Sequence, residues 1–198
     1  MKKGIIGAGG FGREVYWSLG MTERVNTVFF VDDIYWDDSD KKILPLSLFD
    51  SNKYEVVVAI GDPNHRKQII DNLPKSTKFF THIHPTVQIL GDDVEIGEGS
   101  IICAGSILTT NIKIGTHSHL NLQTTVGHDC IIGDYFTTAP GVKISGNCNI
   151  GDRVYFGTNS CIKQKLNVCS DVTVGLNSGV VKNIVNSGVY IGTPAIKL

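Results

Sequence analysis

The chain lacks an excess of charge of either sign: Lys and Arg number 18, Asp and Glu 19, for a formal net charge of −1. That balance argues against nucleic acid as the main partner, because phosphate-backbone binders carry a surplus of cations. No apolar run approaches the roughly 20 residues of a membrane-spanning helix, so no membrane role is expected. The start, Met1-Lys2-Lys3-Gly4-Ile5-Ile6, reaches Gly7 too soon for the apolar segment of a secretory leader, and a cytoplasmic protein is the expectation. Cys-x-x-Cys is also missing. The five cysteines, Cys103, Cys130, Cys148, Cys161 and Cys169, all lie beyond residue 100. They read as free thiols at small buried positions, with no metal cluster. What the chain does have is 41% hydrophobic residues over 198 positions, enough for a packed core. It also has 22 glycines, and their placement is periodic.

Two halves differ in pattern. Residues 1–83 carry 11 Lys and Arg and 11 Asp and Glu, whereas the longer stretch 84–198 carries 7 and 8. The first half alternates short apolar runs with helical patterns. Strands are predicted at Lys3–Gly7, Thr27–Val31, Tyr54–Ile60 and Lys78–Phe80. Helices are predicted at Phe11–Leu19 and Asn64–Asn72, with Pro74 just past the second. Such alternation implies a parallel sheet covered by helices. Gly7-x-Gly9-x-x-Gly12 falls after a strand and before a helix, where glycines let a phosphate approach the backbone. Asp32 ends the next strand, where a carboxylate can accept hydrogen bonds from a ribose or a sugar. NAD is rejected: a full dinucleotide fold needs two mononucleotide halves, and there is room here for one.

The second half repeats every six residues. Leu90, Ile96, Ile102, Leu108, Ile114, Leu120, Val126, Ile132, Thr138, Ile144, Ile150, Phe156, Ile162, Val168, Val174 and Val180 stand at the same place in successive hexads, and all but Thr138 are large and apolar. The following position is small in most hexads. Neither helical nor strand periodicity produces this pattern. A triangular solenoid does: three hexads make an 18-residue coil, and each face is a short strand.

These hexads resemble those of the hexapeptide acyltransferases. Taken with Gly7-Ala-Gly-Gly-Phe-Gly-Arg-Glu14, Val31-Asp32-Asp33, Ala59-Ile-Gly61, Val126-Gly-His-Asp-Cys-Ile-Ile-Gly133 and Gly192-Thr-Pro-Ala195, they are similar to the bacterial sugar acetyltransferases. That family includes UDP-4-amino-sugar N-acetyltransferases and sialic acid O-acetyltransferases. The resemblance implies an α/β half-Rossmann domain with a parallel sheet over residues 1–83. An all-β left-handed parallel β-helix with a C-terminal loop would follow over 84–198. It implies acetyl-CoA as co-substrate, no metal, a nucleotide-linked amino sugar as acceptor, most simply UDP-linked, and a homotrimer with active sites between subunits. Such chemistry belongs to surface-glycan or glycoprotein-glycan synthesis.

Carried over residue by residue, the resemblance makes His128 the general base, oriented by Asp129, with the Gly146 N–H facing the thioester carbonyl and Asn121 holding the acceptor. Gly9, Gly10, Phe11, Asp32, Asp33 and Gly61 would contact the nucleotide sugar. Thr137, Thr158, Leu176, Gly192 and Pro194 would line the acetyl-CoA site. A histidine suits the reaction because the attacking amine must lose a proton near neutral pH. Adjacent strand residues point to opposite faces, so a His128–Asp129 pairing requires a corner or bend. Alternation would put His117 and His119 on one side of a strand. His65 reads as solvated on a helix, and His82 and His84 as packing residues at the junction. Three other readings compete: sugar O-acetylation, a zinc hydrase recruiting His117, His119 and His128, and a non-catalytic nucleotide-sugar sensor.

Overall fold

Strand β1 (Lys2–Ile6) runs through the middle of the first domain, with Ile5 and Ile6 on opposite faces and both buried. The computed structural model describes residues 1–198. Around β1, strands β2 (Thr27–Val31), β3 (Ile43–Pro45), β4 (Tyr54–Val58) and β5 (Lys78–Phe79) form a sheet ordered β3-β2-β1-β4-β5, parallel throughout. Strand β3 was not predicted. It is a three-residue edge strand ending in proline, too short to show a period. Helix α1 (Gly10–Ser18) brings Val15 onto Ile5, Phe29 and Val57, and Leu19 just beyond it joins the same cluster. A one-turn helix, α2 (Met21–Val25), follows. On the other face, α3 (Pro63–Asn72) packs Ile69 and Ile70 against Ile6, Phe30 and Val58. The start of α3 is fixed by Asp62, whose carboxylate accepts the His65 N–H at 2.7 Å, and by Pro63 in the first turn.

Beyond residue 81 the chain winds as the left-handed β-helix that the hexads imply, with three faces of six, five and eight strands, parallel except for the antiparallel pair Gly188–Ile191 and Ile196–Lys197 that ends the eight-stranded face. The register steps by 18: Leu108 pairs with Val126, Val126 with Ile144, Ile144 with Ile162 and Ile162 with Val180. Stacking these aliphatics fills the prism with a cluster of 21 buried apolar residues. Thr138, the polar exception, is buried and shares a 2.7 Å hydrogen bond with the Thr124 hydroxyl, so its hydroxyl is not orphaned. At the lower end Leu90 is 66% exposed, because no coil lies beneath it. The strand His82–Ile83 already belongs to the eight-stranded face, pairing with Ile101–Ile102.

The corners carry a second six-residue period that the sequence reading did not register. From Asn111 to Asn177 every sixth residue has positive φ, with Gly141 the single glycine in that run. Six of the eleven non-glycine residues in this state are Asn or Asp, the side chains that tolerate it best. His117 (φ 54) is one of these corner residues, whereas His119 lies in the next strand. The expected placement of both on one strand is therefore corrected: His117 lies at the corner before the strand, although both rings come to lie beside Arg66. Of the cysteines, Cys130 and Cys148 are buried as predicted, but Cys161 is exposed on the outer side of its strand.

The two domains share packing. Ile101, from the eight-stranded face, completes the cluster under α1. His82 Nε2 lies 2.7 Å from Ser18 Oγ, joining the first coil to α1. No helix is long and apolar enough to cross a membrane.

Candidate active site

The glycine loop joins β1 to α1 at the carboxyl end of the sheet. A side chain at Gly12 would collide with the Gly7 carbonyl oxygen, so this glycine is needed to seat α1 on β1. Gly9 and Gly10 differ: a Cβ there would meet nothing within 4 Å, and their backbone is open to a ligand. Beside the loop lies a cavity of about 430 Å³, lined by Gly7, Gly9, Asp32, Tyr35, Leu46 and His65 among others. In an open parallel sheet, ligands bind in such a crevice at the carboxyl ends of the strands. His65 is exposed, as its helix position predicts, and borders this cavity. Asp33 is not on its lining. Its carboxylate accepts the Ser47 N–H at 3.0 Å, and the Ser47 hydroxyl, then this N–H, lower its pKa and commit it to holding the following chain. Phe11 and Gly61 instead line a second groove, between the domains, together with Asn121, Thr137 and Thr158.

The histidine of Val126-Gly-His-Asp sits on the prism edge that follows the six-stranded face. Asp129 has φ 58, and this left-handed turn folds its carboxylate back on the preceding ring. His128 Nδ1 lies 2.7 Å from Asp129 Oδ2. The bend that the pairing requires is thus supplied by the corner itself. Asn111, one coil below, donates to the other oxygen of Asp129 at 2.6 Å. Hydrogen bonds from His128 and then Asn111 hold the Asp129 carboxyl below its usual range, so it is ionised at neutral pH. An imidazole that donates from Nδ1 to a carboxylate presents a free lone pair at Nε2. Against Nε2 stands Gly146, one coil above, where an added Cβ would lie 2.6 Å from that nitrogen. The Gly146 N–H finds no acceptor within the chain, leaving a donor available beside the ring.

Other predicted residues lie elsewhere. Asn121 does not sit on the strand leading to His128. It occupies the corner after His119–Leu120, on the eight-stranded face, one prism edge away. Thr158 and the exposed Leu176 stack on that same edge, two residues past their key aliphatics. Thr137 is buried, and its hydroxyl accepts from Arg66 at 2.9 Å. Gly192 and Pro194 lie at the top of the solenoid, where the Gly192 carbonyl accepts the Gly179 N–H at 2.9 Å and Pro194 follows a cis peptide bond. Within one chain, His128, Asp129 and Gly146 therefore form one cluster, while Asn121, Thr158 and Leu176 border a different edge.

Sequence reasoning missed Arg66. Its guanidinium, from α3, is fully buried at the domain boundary. It donates to the carbonyls of Ile60 (2.6 Å), His117 (2.9 Å) and Tyr135 (2.7 Å). No carboxylate touches it, and burial pushes its pKa down to about 9. His117 and His119 lie beside it. Burial, reinforced by Arg66, pulls His117 down to about 4 and His119 well below its ordinary value. Two neutral rings crowded by a guanidinium make a poor setting for a cation, and no three His, Cys, Asp or Glu side chains group in metal-holding geometry. A lone arginine on a polar helix face carries no sequence signal for this role.

The comparisons agree with this architecture. Residues 4–73 match the PglD N-terminal domain family. The chain is 33% identical over 175 residues to GDP-perosamine N-acetyltransferase from Escherichia coli O157:H7, covering 81% of this chain and 77% of that protein. It superposes on the acetyltransferase domain of PglB from Neisseria gonorrhoeae FA1090 in complex with acetyl coenzyme A with a TM-score of 0.88, at 27% identity, over 100% of this chain and 99% of that one. WeeI from Acinetobacter baumannii AYE gives a TM-score of 0.87 at 32% identity over 99% of each chain. Hexads, glycine loop and relatives along nearly the whole length converge on one assignment: the chain belongs to the hexapeptide-repeat sugar acetyltransferases.

Proposed function

We propose that this acetyltransferase moves the acetyl group of acetyl-CoA to the amine of a nucleotide-linked 4-amino sugar, in bacterial surface-glycan or glycoprotein-glycan synthesis. The observation that carries the reading is the His128–Asp129 pair with its ring against Gly146, whose N–H is free. The amine attacks the thioester carbonyl carbon while His128 Nε2 takes its proton. The developing oxyanion meets the Gly146 N–H. Collapse breaks the carbon–sulfur bond, CoA leaves as thiolate, and the His128 imidazolium returns the proton. Asp129 keeps the ring in the required tautomer and stabilises its cationic form, as an oriented carboxylate does in related base-catalysed acyl transfers.

The acceptor's nucleotide fits the cavity beside Gly9 and Asp32, with its sugar leading into the groove at Phe11 and Gly61. The second half of the site comes from another copy: a homotrimer would bring the edge bearing Asn121, Thr158 and Leu176 against the edge bearing His128. Acetyl-CoA would lie between them; its identity as the donor is supported by the complex of the gonococcal domain with acetyl coenzyme A. O-acetylation of a free sugar is the lesser reading, because it leaves the nucleotide-sized cavity without a role.

A thiol-release assay with acetyl-CoA tests this, using a UDP-4-amino sugar, a GDP-4-amino sugar and free sialic acid. The resemblance implies the uridine carrier, and the E. coli relative is named for the guanosine one. Release with either nucleotide amino sugar and not with sialic acid is expected; release with sialic acid alone would overturn the proposal. In the same assay, Gly146→Ala is expected to lower kcat about 100-fold, since the added methyl must displace the imidazole and ångström-scale misplacement costs that much. Wild-type turnover in this variant would remove Gly146 from the site.

A further inference from the structure

We propose that the prism edge bearing His128 continues upward as a phosphate-binding strip for the acyl donor, formed by Lys163, Lys165 and Lys182. The inference rests on the reading above that the donor is acetyl-CoA.

Backbone stacking places the three lysines in line with the base. The Asn147 N–H donates to the His128 carbonyl at 2.7 Å, and the Lys165 N–H donates to the Gly146 carbonyl at 3.0 Å. The Lys163 N–H donates to the Val180 carbonyl at 2.9 Å, so Lys182 belongs to the coil above. At about 4.8 Å per coil, Lys163 and Lys165 stand about 10 Å above His128, and Lys182 about 14 Å above it.

Charge on this edge is graded. Beside the base is Asp129 and two coils below it is Asp93, each accepting a hydrogen bond from Asn111. Above it, all three lysines are exposed and none reaches a carboxylate. Of the other solenoid cations, Lys113 pairs with Glu95 at 3.3 Å, Arg153 pairs with Asp171 at 2.8 Å, and Lys143 donates to the Gln123 carbonyl at 2.7 Å. The edge bearing Asn121, Thr158 and Leu176 has no Lys or Arg at its corners. The donor has the matching polarity, with an uncharged thioester at one end of its pantetheine arm and phosphates at the other. A field that is negative at the base and positive above it orients such a molecule with its thioester at His128. The acceptor's diphosphate is the other phosphate within reach of this protein's chemistry, and the test separates the two.

Calorimetry would compare CoA with 3′-dephospho-CoA on wild type and on the variant Lys163→Ala/Lys165→Ala/Lys182→Ala. Wild type is expected to bind CoA about tenfold more tightly than the dephospho form, the sum of three exposed cation–phosphate pairs. This preference should weaken with added salt. The triple variant is expected to bind the two within about twofold, whereas Lys113→Ala, on the neighbouring face, keeps the preference. A triple variant that retains the preference, or a wild type without one, would overturn the strip. So would a triple variant that raises the KM of the nucleotide sugar while leaving CoA binding intact, which would assign the lysines to the acceptor. Equal binding of the two CoA forms alongside normal acetyl transfer sinks the strip alone; absence of both CoA binding and transfer sinks the proposed function with it.

Discussion

Replacing His128 by alanine is expected to lower kcat for acetyl transfer about 10²- to 10⁴-fold, the usual contribution of a positioned general base. Acetyl-CoA should still bind, because the role proposed for the imidazole is to take the acceptor's proton, not to hold the donor's phosphates. The ring is 54% exposed and belongs to no packed cluster, so its removal leaves the fold intact. Asp129 keeps its bond from Asn111, and the corner retains its backbone bond from Asn147. The measurement is kcat and KM for both substrates, with thermal unfolding as the control. A variant within a few-fold of wild type would show that the acceptor loses its proton to another group. It would also leave a non-catalytic sensing role as the better account of the nucleotide cavity.

Replacing Arg66 by alanine is expected to destabilise the protein by about 3 kcal/mol or more. Deleting the guanidinium leaves the buried carbonyls of Ile60, His117 and Tyr135 without donors, and each orphaned group costs about 1–3 kcal/mol. The relief of no longer burying a cation offsets part of that sum. For a chain of this length the melting temperature should fall by about 6–12 °C. Arg66→Lys should lose nearly as much, because one ammonium cannot span three carbonyls set around a planar fork. Unfolding followed by calorimetry decides it; unchanged melting in both variants would refute the role.

The same cluster sets an acid limit. His117 is held at about 4, against an ordinary 6.5, and His119 is depressed in the same direction. As pH falls between these values the unfolded chain takes up protons that the folded chain refuses. The stability present above pH 6.5 is thus lost progressively toward pH 4. In Arg66→Ala this loss should be smaller, since the nearby positive charge is gone.

Much of this molecule was legible from residue order. The hexad period specified the solenoid because each aliphatic at that spacing must face the same interior, and no other regular structure repeats every six residues. The glycine loop was readable because its position between a strand and a helix leaves few conformations. The adjacency of His128 and Asp129 named the dyad through the family resemblance. What remained hidden depended on rotation about corners or on distance along the chain. The left-handed corner at Asp129 brings its carboxylate to the ring, and a linear pattern records no φ angle. Asn121 and His128 are seven residues apart, yet the prism places them on different edges, because an edge is defined by the closing of the coil. Asp33 and Thr137 carry polar groups that look available in the sequence, and the fold spends them on Ser47 and Arg66. Arg66 itself lies 51 residues from His117 and 69 from Tyr135, joined to them only when two domains dock. Sequence alone determined the repeat and the order of the two halves, since these follow from local spacing. Tertiary structure decided which polar groups stay free for substrate, because a hydrogen bond is assigned only once its partner arrives from a distant part of the chain.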